Sequence, residues 1–182
     1  MTQLEAGDAA SAAAKTRELL VEWPLCQDRL VHTCALYSTH IAREHGEATM
    51  HAAHLWISSY AADAIDSIVD PERRGTPDLL QRVLTLLRAH TMEGTLVEDE
   101  KHVTIELDCS SGLRMWRRGV DRYGVTADEA PWTVGRRQLP YYCCRCTANL
   151  MTYPREQGQS PLRTVVPPAS PKDHCTWIVP KS

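Results

Sequence analysis

The period of the apolar residues changes part-way along this chain. Up to Leu87 they recur at three- and four-residue intervals, the spacing of one helix face, whereas Val103, Ile105, Leu107 and Cys109 alternate with Thr104, Glu106 and Asp108. A sequence holding both periods is neither a plain helical bundle nor a plain β-sandwich. Together with Thr95–Val97, the alternating run reads as a β-hairpin turned at Glu98–Lys101, with one buried face and one wet face carrying the carboxylates Glu106 and Asp108. A second pair of strands, Leu162–Val166 and His174–Val179, flanks Pro167-Pro168-Ala169-Ser170-Pro171, which is too proline-rich to belong to either. The expected class is α+β, with N-terminal helices packed on an antiparallel sheet built from two hairpins.

Punctuation places the helices. Met1–Ala14 is rich in Ala, Gly and Ser and reads as a disordered tail or frayed helix start, leaving residues 15–182 as a single α+β domain. A first helix through Leu19, Leu20 and Trp23 is expected to break or restart at Pro24, and Leu30, Cys34, Tyr37 and Ile41 continue at helical spacing to a stop at His45-Gly46. Another helix runs from Glu47 to Asp70-Pro71, followed by a charged turn over Glu72–Thr76. Pro77-Asp78 opens the next, whose broad apolar face holds Leu79, Leu80, Val83, Leu86 and Leu87. Ser110-Ser111-Gly112 forms a turn and N-cap for a helix through Leu113, Met115 and Trp116 that closes at Gly124. Val125–Arg137 reads as an irregular loop with two lid elements, and Leu139–Met151 as a helix that starts after Pro140 and carries Cys143, Cys144 and Cys146.

Composition narrows the chemistry. A net charge of -3 gives no electrostatic case for nucleic acid or an anionic membrane surface, so the expected partner is a small molecule or a protein. No run approaches the roughly 18 apolar residues of a membrane helix, and the N-terminus has neither a basic nor an apolar leader segment. The expected location is the cytoplasm, where thiols stay reduced, and seven cysteines cannot all pair within one chain. With no Phe, five Trp and six Tyr, aromatic packing brings polar atoms that need partners when buried, which suits a pocket.

Thiols are the leading candidates for chemistry. Cys109 stands where a strand hands over to a helix N-terminus, an environment that favours the thiolate, with Glu106 or Asp108 at hand as base or substrate anchor. Its plainer reading is the end of the buried stripe. Cys143 and Cys146 share a helix face, and with Cys175 they could hold a zinc ion, although tetrahedral zinc wants about four ligands. Plain packing of buried cysteines is the bland alternative. His51 and His54 share a face with Glu47 one turn earlier, yet no HExxH motif completes a metal set, and satisfied histidines are the simpler reading. Asp63 and Asp66 read as a solvated helix edge. Arg136 and Arg137, beside Trp132, could clamp a carboxylate bidentately.

His45-Gly46-Glu47-Ala48 on an amphipathic helix, a strand ending in Cys109, a cysteine-bearing helix and a last hairpin ending in His174-Cys175-Thr176-Trp177 follow one another over roughly residues 30–179. In pattern and order this resembles the L-2-amino-thiazoline-4-carboxylic acid hydrolase family and, more remotely, is similar to four-vinyl-reductase type ligand-binding domains. The first resemblance implies ring opening of a small cyclic C–N or C–S compound, with Cys109 matching the family's strand-end cysteine and Cys175 its final-strand cysteine. The second implies ligand binding with zinc on late cysteines. This chain departs from the hydrolase pattern at Ser110, where proline is frequent, and in its triple-cysteine helix.

The reading that follows is a hydrolase or lyase acting on a small cyclic or amide-like metabolite. Its nucleophile is Cys109 or Cys143, His174 is the general acid or base, Glu106 or Asp108 orients substrate, and Trp132, Arg136, Arg137 and Tyr142 line a pocket between the sheet's polar face and the Trp132 loop. It needs no cofactor. The alternative is a non-catalytic binding module with zinc on Cys143, Cys146 and Cys175. The apolar stripes of the first helices support a third role, homodimerisation.

Overall fold

The computed structural model describes residues 8–68 and 76–181, and side-chain surroundings for all of these except 61–68 and 76–79. Helix α1 (Ala9–His45) is 37 residues long and starts inside the stretch expected to be a tail, with the Asp8 carboxylate accepting from the Ser11 N–H at 2.9 Å. Pro24 does not break it. Proline lacks an N–H and so deprives only the Leu20 carbonyl of its helical partner, and Leu20 is 68% exposed, so water can take its place. Gly46, at a φ of 87° that other residues rarely adopt, ends α1 where the sequence indicated.

Helix α2 (Glu47–Ile68) folds back along α1, and Ser38 Oγ meets His54 Nε2 at 2.9 Å between them. Its expected stop at Asp70-Pro71 and the charged turn up to Gly75 lie outside the described residues, as do the side chains of Asp63 and Asp66. Helix α3 (Thr76–Ala89) then leads to the strands.

Strands β1 (Glu93–Glu98), β2 (His102–Asp108), β3 (Thr164–Val166) and β4 (Cys175–Pro180) form one antiparallel sheet in the order β1-β2-β4-β3. The two expected hairpins are thus halves of a single sheet, joined along β2 and β4 with Val103 opposite Val179, Ile105 opposite Trp177 and Leu107 opposite Cys175. Alternation puts these six side chains on the inner face. Val83 and Leu87 of α3, Leu113 and the pair Leu150 and Met151 complete that core.

Helices α4 (Gly112–Arg118), α5 (Val120–Tyr123), α6 (Tyr141–Thr147) and α7 (Tyr153–Glu156) follow β2, with a π-helical turn over Ala148–Thr152 between the last two. The helix expected after Pro140 is therefore present, but it widens where Leu150 and Met151 reach the sheet, a local irregularity frequent at functional sites. Helix α6 is covered on all sides: Tyr141, Tyr142, Cys143, Cys144 and Thr147 are buried. It joins the sheet core to the core between α1, α2 and the Trp132 loop. Two glycines permit this. A Cβ at Gly112 would lie 2.5 Å from Cys143 Sγ, and one at Gly124, φ 68°, would meet the Tyr141 ring at 2.4 Å. No described helix is long and apolar enough to cross a membrane.

Candidate functional site

Helix α6 brings Cys143 and Cys146 towards Cys109, just past the end of β2, and Cys175, at the start of β4. The four thiols bear on one another electrostatically on the inner side of the sheet. All seven cysteines are free. Burial pushes the Cys143, Cys144 and Cys175 thiols well above their ordinary range and Cys146 up to about 12, because a thiolate has no water around it there. Burial thus favours the protonated form of Cys143, Cys144, Cys146 and Cys175.

Two guanidinium groups offset that cost at one position. Arg145, largely screened from water, donates from Nη1 to the Tyr142 hydroxyl at 3.1 Å and lies over the Tyr142 ring. Arg163, 5% exposed, lies 4.9 Å from the centre of the Trp177 ring. Both charges favour a thiolate at Cys146. None of the influences on Cys143 is cationic; its neighbours are other cysteines. Burial pulls Arg163 down to about 10, and its Nε and Nη1 find no hydrogen-bond partner among the described residues. A buried cation with two idle donors costs stability and calls for an explanation beyond packing.

Other idle polar atoms surround the same region. Ser110 Oγ donates to the His90 carbonyl and receives Gln27 Nε2 at 3.5 Å. Around that link the buried atoms Gln27 Oε1, His90 Nδ1, Thr91 Oγ1 and Ser111 Oγ have no partner among the described residues. Burial, then the Arg145 charge, holds His90 below the ordinary histidine range. Together these groups give the interior between α1, α4 and α6 a polar lining that Arg145 connects to Cys146.

The structure divides the expected site. Cys109 and Cys143 belong to this interior. Glu106 and Asp108 lie on the opposite, exposed face of β2, where Asp108 pairs with Arg117 at 2.6 Å, so the sheet itself separates these carboxylates from the thiols. His174 is exposed in the loop before β4. Trp132 does not face the sheet's polar side: its ring stacks on His51 of α2 at 4.8 Å, and its carbonyl accepts from Thr147 Oγ1 at 2.7 Å. Arg136 spends its fork on the Pro167 and Pro168 carbonyls, both at 2.7 Å, and Arg137 reaches Glu129 at 3.7 Å. Tyr142 is buried against α1 and holds Arg145.

The Val125–Arg137 loop is tied rather than lid-like. Thr126 N donates to the Leu139 carbonyl at 2.9 Å and Gln138 N to the Thr126 carbonyl at 2.8 Å. The paired histidines take structural roles: His54 bonds Ser38, and burial pulls it down to about 4, while the Glu47 carboxylate accepts from Tyr141 OH at 3.0 Å and Ala127 N at 2.7 Å. Among the described residues no group of three or more His, Cys, Asp or Glu side chains is arranged to hold a metal ion. Sequence reasoning missed Arg145, Arg163, Gln27 and His90. The signal for Arg163 was a single cation directly before an apolar strand, where burial of its neighbours carries it inward.

A separate open cleft of about 380 Å³ lies between α1, α4 and α5, lined by Asp28, Arg29, His32, Arg118, Arg122 and Tyr123. Arg114 and Arg118 both engage Asp28, at 3.1 and 2.9 Å, leaving the cleft with an excess of positive charge. No family model, curated protein or solved structure matches the chain.

Proposed function

We propose that this protein is a cytoplasmic enzyme of hydrolase or lyase type that opens a small cyclic or amide-like metabolite bearing an anionic group, with Cys146 as its reactive thiol. The observation that carries the reading is Arg163: buried, beside Cys146, with Nε and Nη1 unpartnered among the described residues. A substrate carboxylate satisfies such a fork bidentately. The sequence pattern put the nucleophile at Cys109 or Cys143; the cationic surroundings favour Cys146 instead.

In this scheme the Cys146 sulfur adds to the electrophilic carbon of a ring C=N or an amide carbonyl. A C–S bond forms and the π pair moves to nitrogen or oxygen. Tyr142, one turn earlier on the same helix face and kept protonated by burial, can relay the proton, giving its own to that atom and taking up the one that leaves the Cys146 thiol. Collapse breaks the ring C–N or C–S bond, and water then releases the thiol.

The preference of Cys143, Cys146 and Cys175 for the protonated form favours a second reading, a module that binds a small anion there without turnover. The experiment compares alkylation of Cys146 by iodoacetate and by iodoacetamide, followed by peptide mass spectrometry. Attraction to Arg163 is expected to raise the ratio of the two rates, and Arg163→Met to lower it by roughly tenfold, with Arg163→Lys intermediate. An unchanged ratio in Arg163→Met overturns the assignment of Arg163. A Cys146 inert to both reagents, in a protein that still binds small carboxylates, selects the binding module.

A further inference from the structure

Helix α1 carries two apolar stripes on nearly opposite sides. The inner one, Val31, Ala35, Ser38, Thr39 and Ala42 with Gln27, is small-sided and buried against the rest of the chain. The outer one consists of Leu19, Trp23, Cys26, Leu30, Thr33, Tyr37 and His40, all exposed. Its steps alternate between four and three residues without a break, which is the spacing of a coiled-coil seam. Leu19, Trp23, Leu30 and Tyr37 are 54, 50, 65 and 65% exposed.

The first half of the helix needs a cover. Of its residues before Gln27 none is buried, and the eighteen residues Ala9 to Cys26 are tied to the body through Trp23, whose Nε1 donates to the Ala89 carbonyl at 3.0 Å. Isolated helices of that length are marginal in water, and helices in proteins draw most of their stability from packing one face.

We propose that α1 pairs antiparallel with α1 of a second copy of this chain along the outer stripe, making the protein a two-fold symmetric dimer. The seam is self-complementary. Setting Leu19 opposite Leu30 places Trp23, the largest residue of the stripe, opposite the small Cys26, and each layer occurs twice. In the same register the flanking residue Glu22 meets Arg29 of the other helix, and Arg29 meets the other Glu22, as the outer flanks of antiparallel coiled coils do. Arg29 also rims the Arg118 and Arg122 cleft, so the acidic partner arrives at a basic edge. The body of each copy hangs mainly from the inner stripe, and the end of α3 reaches the edge of the seam where Trp23 Nε1 donates to the Ala89 carbonyl. A 37-residue helix is about 55 Å long, which leaves room for the roughly 800 Å² per partner of a standard interface.

The test is the mass of the full chain in solution, by light scattering after gel filtration at micromolar concentration. A dimer is expected. Leu30→Glu, at a 65% exposed position outside the core, is expected to give a monomer that loses helicity in the uncovered first half of α1 and keeps the cooperative unfolding of the body. Glu22→Arg is expected to weaken association by roughly tenfold or more, and Glu22→Arg with Arg29→Glu to restore it. A monomeric wild type overturns the proposal. A dimer that persists in Leu30→Glu, or a double variant no tighter than Glu22→Arg, overturns this seam and register.

Discussion

Helix α6 and the first half of α1 are both rich in large side chains, and their surroundings are opposite. In α6 five of seven residues are buried, and three cores meet on it. Across Ala9–Cys26 none is, although Leu19, Leu20, Val21, Trp23 and Leu25 lie there at 50–68% exposure. Apolar content therefore does not decide which helix is interior. Position does: α6 enters from the tied loop at Leu139 and Pro140 into the gap between sheet and helices, whereas α1 begins well before it reaches that body. The contrast also separates two kinds of cost. Thiols and guanidinium groups around α6 pay in lost hydration, and the outer stripe of α1 leaves apolar surface in water.

The largest effect should come from the α6 side at high pH. Burial raises the Cys143, Cys144, Cys146 and Cys175 thiols, Cys146 from 9.0 to about 12. The folded state keeps these protons while the unfolded chain releases them near pH 9. Their contribution is thus complete below pH 9 and is lost as pH climbs from 9 towards 12. For Cys146 alone the loss is on the order of 4 kcal/mol across that window. Urea midpoints measured from pH 7 to 11 should fall steeply beyond 9, and less so in Cys146→Ala. A flat profile would mean that the thiols reach water and that the contrast with α1 is weaker than the fold indicates.

The next effect tests how closely α6 is gripped. Gly112 starts α4 against Cys143, and a methyl group there would sit 2.5 Å from the sulfur and 3.2 Å from the Cys143 nitrogen. Backbone cannot yield as a flexible side-chain tip can. Gly112→Ala is expected to cost about 2 kcal/mol by overpacking, read as a lower denaturation midpoint. Tolerance of alanine would show that α4 and α6 can slide apart.

Much of the architecture was legible because it rests on local signals. The alternation at Val103–Cys109 gave β2 with its inner and outer faces, Gly46 and Gly124 gave two helix ends, and the strands around the Pro167–Pro171 loop fell within two residues of β3 and β4. Pro24 misled, since a proline is a strong breaker only where the freed carbonyl has no water to turn to. One sheet from two hairpins was expected from the fold class, but which strands join them, β2 and β4 paired across some seventy residues, no local pattern records. The site was half legible. Strand parity could place Cys175 inward and could have excluded Glu106 and Asp108 from the same space, because residues one apart on a strand face opposite ways. The cations at Cys146 were hidden for a different reason. Arg145 and Arg163 are ordinary surface residues by type, and only the tertiary arrangement makes them interior.

The smallest expected effect is the sharpest statement of the difference between the two regions. Leu25 and Leu139 are the same residue in opposite circumstances, at 61% and 0% exposure. Removing the Leu139 side chain beyond Cβ strips contacts with Met50, Tyr141 and their neighbours and leaves a void, so Leu139→Ala should cost about 3 kcal/mol. Leu25 lies off the Leu19, Trp23, Leu30 stripe as well as off the inner one. Leu25→Ala should therefore change stability by no more than about 0.5 kcal/mol and leave the solution mass as it was. A Leu25→Ala variant that dissociates or melts early would place the contact surface of α1 on a different side of the helix, and the antiparallel register would have to turn with it.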